Sequence, residues 1–81
     1  MAEHTVITPL PGTFYRKATP DSANYVEVGD SVSADTVIGL IEVMKQFSEL
    51  TAGMAGRLSA FQVEDGDPVE PGQVVATLDS E

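Results

Sequence analysis

The chain has 81 residues, no cysteine and a formal net charge of −9. That length sets one small domain, here residues 1–81, with a modest core and no room for a deep enclosed cleft. The missing cysteines exclude a disulfide framework, a thiolate metal site and a cysteine nucleophile, and the acidic balance argues against nucleic acid or an anionic membrane as partner.

Residues 5–8 read as a first short strand, which leaves His4 in a loose terminus and an ordered core of about residues 5–80. No second ligand stands at metal spacing from His4, so no metal site is expected. Residues 12–16 form a second strand, where Phe14 and Tyr15 favour β structure. Ser31-Val32 and Pro68-Val69 are short links that pair as well. Val37–Val43 is the strongest run, rich in Val, Ile and Leu. Gln46–Thr51, residues 56–63 and Val74–Asp79 complete the set. Pro9, Pro11, Pro20, Pro68 and Pro71 fall at intervals hostile to helices. Gly39 and its β-branched neighbours remove the one helical alternative, over residues 37–50. No apolar run is long enough to cross a bilayer. Residues 1–5 have neither the basic nor the apolar part of a secretion signal. The expectation is therefore a soluble cytoplasmic protein, complete from Met1.

The chain contains an internal repeat. Gly29 and Gly66, Asp30 and Asp67, Val32 and Val69, and Val37 and Val74 all lie 37 residues apart. Gly12 and Gly56, each heading a strand, lie 44 apart. The difference, 44 − 37 = 7, puts seven extra residues of the first copy between Gly12 and Gly29. The polar stretch 17–24 is where they fit. Two similar four-strand halves imply an all-β fold, a flattened β-barrel or sandwich of two four-stranded sheets with pseudo-twofold symmetry.

Only Met44-Lys45 separates the two central strand runs. A two-residue hairpin loop requires positive φ, which favours Asn-Gly or another glycine pair. Ordinary residues held there cost on the order of 1–3 kcal/mol each. A chain that accepts this at its midpoint has a use for those side chains. Spacing alone leaves open a longer, looser turn in which Lys45 is one more surface lysine. Lysine is scarce, however: the basic residues are Arg16, Lys17, Lys45 and Arg57. An ordinary lysine amine is protonated at neutral pH and a poor nucleophile. A separate enzyme would have to bring the activated group to Lys45.

The residues around this turn carry a resemblance that runs from about residue 8 to the C-terminus. Pro9-Leu10-Pro11-Gly12-Thr13-Phe14-Tyr15-Arg16 and Glu42-Val43-Met44-Lys45-Gln46 are similar to the first strands and the Met-Lys signature of biotinyl domains. The likeness is to the biotin carboxyl carrier of acetyl-CoA carboxylase in particular. It implies a hammerhead-type biotinyl domain with a thumb loop at about 17–24. It implies biotin joined covalently to Lys45, with Glu42, Val43 and Met44 flanking the attachment point and read by a biotin protein ligase. Thr19, Pro20 and Asp21 fall where the thumb contacts biotin. The arm would take a carboxyl group from a biotin carboxylase subunit to a carboxyltransferase subunit, as in fatty acid synthesis. The domain itself would be a monomeric carrier without an active site. Val43, Gln46 and Ser48 depart from the family's usual alanine, methionine and asparagine. A lipoyl carrier shares this type of fold and also displays a hairpin lysine, but typically has Asp-Lys at its tip and no thumb. An unmodified barrel used as a docking module is a further alternative.

Overall fold

The computed structural model describes residues 3–19 and 21–80, and every regular element among them is a strand. Among the described residues no helix is long and apolar enough to cross a membrane. In chain order the strands are β1 Glu3–Ile7, β2 Gly12–Tyr15, β3 Ser31–Val32, β4 Val37–Val43, β5 Gln46–Thr51, β6 Gly56–Phe61, β7 Pro68–Val69 and β8 Val74–Asp79. They form two four-stranded sheets, ordered β1-β8-β6-β3 and β5-β4-β2-β7, and every pairing is antiparallel. The all-β expectation with two four-stranded sheets is borne out.

Four boundaries differ from the expected ones, the first being the end of β1 at Ile7 instead of residue 8. β1 begins at Glu3, and His4 pairs with Leu78, so His4 is a strand residue and not part of a loose terminus. A terminal residue is ordered here because β8 offers it a free edge. β2 stops at Tyr15, because the next backbone amide, that of Arg16, donates to Asp65 Oδ1 at 2.8 Å. β6 stops at Phe61, two residues short of its expected end, although Gln62 N still donates to the Val75 carbonyl at 2.7 Å.

The repeat becomes a twofold relation between the sheets. Shifting β2 and β1 by 44 residues gives β6 and β5, and shifting β4 and β3 by 37 gives β8 and β7. The order β5-β4-β2-β7 thus maps onto β1-β8-β6-β3. The Gly-Asp turns match in detail. Gly29 and Gly66 have φ of 100° and 89°, and Asp30 and Asp67 each accept from the backbone amide three residues earlier at 2.9 Å. Each turn docks on the other half: Leu58 N donates to the Asp30 carbonyl, and Phe14 N to the Asp67 carbonyl, both at 2.9 Å. Each sheet therefore takes two strands from each half of the chain.

Between the sheets lies the core, where Phe14, Ile38, Ile41, Leu58, Val75 and Leu78 are fully buried. Burial of these apolar side chains, at about 25 cal/mol per Å² removed from water, drives folding. Thr8 is a fully buried polar side chain, and its hydroxyl donates to the Leu10 carbonyl at 2.8 Å. Gly39 is required by close approach. A Cβ there would lie 2.5 Å from Phe14 Cε1 and 2.7 Å from the Tyr15 carbonyl oxygen. Gly39→Ala is expected to cost about 1–3 kcal/mol by overpacking, read as a lower urea midpoint. An unchanged midpoint would show that β2 and β4 separate freely.

Candidate functional site

β4 and β5 pair in register down to Val43 opposite Gln46, so the hairpin closes in two residues. Met44 and Lys45 have φ of 50° and 67°, the only positive values among the described non-glycine residues. Both central residues are left-handed, as a type I′ turn demands, and neither is a residue that tolerates that region easily. The looser turn is thereby excluded. Met44 is 91 % exposed, and Lys45 is also exposed. Val43 turns inward and packs against the core, fixing the base of the tip.

Glu42 stands one pair below the tip, opposite Phe47. Its Oε1 accepts the Tyr15 hydroxyl at 2.9 Å. That bond, helped by partial desolvation and by the charges of Glu42 and Asp65, holds the Tyr15 phenol above the usual tyrosine pKa. The Tyr15 and Phe47 rings lie 6.2 Å apart, tilted by 48°.

Residues 17–24 lie in the connection from β2 to β3. Tyr25 N donates to the Arg16 carbonyl at 2.8 Å and closes its base. Arg16 stacks 4.2 Å over Phe61 and pairs with Glu27 at 3.2 Å, fastening the loop to the barrel. Thr19 and Ser22 hydroxyls meet at 2.7 Å, and Ser22 N donates to the Thr19 carbonyl at 3.0 Å. Between this loop and the hairpin face lies an open cleft of about 390 Å³, lined by Tyr15, Lys17, Ala18, Thr19, Phe47 and Asp65.

Of the residues singled out in the sequence, Thr19 thus lines the cleft, and Glu42 is bonded to a lining residue. Lys45 and Met44 stand free at the tip, and Val43 supports it from the core. Asp21 is exposed and outside the lining. Pro20 lies outside the described residues. Tyr15 and Phe47, which no motif in the sequence singles out, form the apolar wall beside the tip. Strand alternation carries the signal: Phe14 points to the core, so Tyr15 points outward.

The tip fits a covalent arm. Among the described residues, Lys45 has no hydrogen-bond or ion-pair partner to give up.

The biotin carboxyl carrier protein of acetyl-CoA carboxylase from Chlamydia muridarum is 46% identical over 67 residues, covering 83% of this chain and 41% of the relative. The protein of the same description from Pseudomonas aeruginosa is 41% identical over 75 residues, covering 93% of this chain and 48% of the relative. The chain therefore spans less than half the length of these curated relatives. Among solved structures, the urea carboxylase of Kluyveromyces lactis superposes with a TM-score of 0.79 at 25% identity, over 98% of this chain and 6% of that one. A single-chain, multi-domain long-chain acyl-CoA carboxylase superposes with a TM-score of 0.79 at 22% identity, over 98% of this chain and 7% of that one, and shares the fold. The profile of the family described as "Biotin-requiring enzyme" matches residues 4–78, with the Met44-Lys45 hairpin near its centre, and the chain belongs to that family.

Proposed function

We propose that Lys45 is the residue to which biotin is joined as an amide, and that the domain carries a carboxyl group from a biotin carboxylase to a carboxyltransferase in an acetyl-CoA carboxylase-type complex. The observation that carries this is the left-handed pair at the tip, Met44 at φ 50° and Lys45 at φ 67°. A fold that needed only a turn would place glycine there and avoid the strain. When bound, biotin supplies a ureido nitrogen that takes up and releases a carboxyl group.

The chain's own residues do the rest. Lys45 Nζ forms the amide, and its stem is the inner part of the arm. The β4–β5 ladder holds the Lys45 backbone in place, so the arm swings from a fixed base. Such a tether keeps its end at roughly millimolar effective concentration near each partner site. Met44 gives a ligase an apolar contact, and Glu42 gives it a charged one. Thr19, on the wall of the cleft, is within the thumb that meets the arm's head group. In this reading the domain is a monomeric carrier that catalyses nothing itself. A cysteine-free chain suits a reducing cytoplasm.

Intact mass after incubation with a biotin protein ligase, ATP and biotin tests the assignment, and one added biotinyl group is expected. A lipoyl group added by a lipoate ligase would favour the lipoyl carrier, and no change with either enzyme the docking module.

The thumb is tested separately. Replacing residues 18–23 by a short turn is expected to leave loading intact and slow carboxyl transfer on the order of tenfold, equivalent to about 1.4 kcal/mol of lost positioning. Equal transfer rates would reduce the thumb to a plain loop.

A further inference from the structure

The twofold relation supplies an internal control for hydrogen bonds on the outer face of each sheet. On the hairpin-bearing sheet, Phe14 and Ile41 face the core, so their strand neighbours Tyr15 and Glu42 face outward. Tyr15 stands opposite Leu40, yet its hydroxyl passes Leu40 and donates to Glu42 Oε1 at 2.9 Å, two residues nearer the tip. On the other sheet the counterpart of Tyr15, 44 residues on, is Ser59, and that of Leu40, 37 on, is Thr77. The Ser59 hydroxyl stops at Thr77, 2.8 Å from its Oγ1. One sheet of the same barrel thus does without a bond reaching toward the strand end, and the fold has no general need of one.

What the bond does is local to the tip. Glu42 lies one pair below it and three residues before Lys45. A glutamate on a strand surface samples several rotamers, and a partner that docks on it has to immobilise it first. Here the Tyr15 hydroxyl already fixes Oε1, and the Tyr15 ring is itself set against Phe47, with 6.2 Å between centroids. A carboxylate accepts through both oxygens, so a bond at Oε1 leaves Oε2 able to accept from an incoming donor. The same bond is the main cause that holds the phenol above its ordinary pKa, so the hydroxyl stays a donor throughout the neutral range.

We propose that Tyr15 is a positioning residue for loading: its hydroxyl presets the Glu42 carboxylate for the enzyme that acylates Lys45. The proposal rests on Lys45 as the attachment residue and on Glu42 as a contact of that enzyme. Loading is singled out by reach. The enzyme must close on the hairpin to touch Nζ, and Glu42 is the acidic residue nearest to Lys45 along the chain. An enzyme acting at the end of a long arm need not contact Glu42 at all. Tyr15 acts through Glu42 and touches neither Nζ nor the incoming group, so it affects how well the domain docks and not the rate of the acylation step.

The test is steady-state loading of the full chain by a biotin protein ligase with ATP and biotin, varying the chain's concentration. Tyr15→Phe keeps the ring and removes only the hydroxyl. It is expected to raise KM about fivefold, the scale of immobilising one side chain on docking, with kcat within about twofold of the parent. Glu42→Ala is expected to raise KM at least as far. The double variant is expected to match Glu42→Ala alone, because the hydroxyl has nothing left to position. Assays run below the onset of thermal unfolding of every variant, so a loss of folded protein does not mimic a rise in KM. An unchanged KM for Tyr15→Phe overturns the proposal, as does a fall in kcat at unchanged KM. Effects that multiply in the double variant also overturn it, since the hydroxyl would then act without Glu42, and so does a Glu42→Ala variant that loads like the parent. A parent that is never loaded overturns the Lys45 assignment as well, whereas a loaded parent with an indifferent Tyr15→Phe overturns the positioning role alone.

Discussion

Lys45→Arg is expected to abolish biotin loading and to leave the barrel standing. Arginine keeps the charge and meets the same backbone demand at φ 67°, but its guanidinium does not form the amide. Substitution of an exposed residue usually moves stability by less than about 0.5 kcal/mol. In a domain of this size that is a change in Tm of roughly 2–4 °C at most. Streptavidin binding and intact mass read the first effect, and thermal unfolding the second. Should the variant still be labelled, Lys17 or the N-terminal amine is the acceptor. The expected separation of function from stability follows from the tip's geometry: Lys45 is exposed, and the inward-turned Val43 anchors the hairpin from beneath.

Phe14→Ala has the largest expected effect on stability. Phe14 is fully buried. Its ring lies 5.9 Å from that of Phe61 and occupies the space left open by Gly39. Truncating a buried phenylalanine costs about 3–5 kcal/mol. Small domains sit near the lower end of the ~5–15 kcal/mol range of native stability, so most of the folded margin disappears. Urea titration is expected to show a much lower midpoint at similar slope, and Lys45 loading is expected to fall with the folded fraction. A loss under about 1 kcal/mol would mean that the sheets collapse onto the gap. Phe14 also joins core to site: its neighbour Tyr15 faces outward and bonds Glu42 below the tip.

The sequence determined most of the strands and the position of the hairpin. Val37–Val43, Gln46–Thr51 and Val74–Asp79 are β-rich runs, and the first two flank only Met44-Lys45, so the loop length follows by counting. The Gly-Asp turns at 29–30 and 66–67 announce a repeat because positive φ there demands glycine. The seven-residue excess places the loop that becomes the cleft wall. All of these are local signals, carried by a few adjacent residues or by a constant offset.

Only the tertiary structure decided how the halves combine. Each sheet interleaves two strands from each half, a pairing of distant segments that no local pattern encodes. The same packing ordered Glu3 and His4 against β8. It also divided the aromatics: Phe14 and Phe61 serve the core, while Tyr15 and Phe47 form a wall outside it. Alternation tells which side of a strand a residue takes, but burial depends on which side the other sheet covers. That choice is made when the two sheets pack against each other.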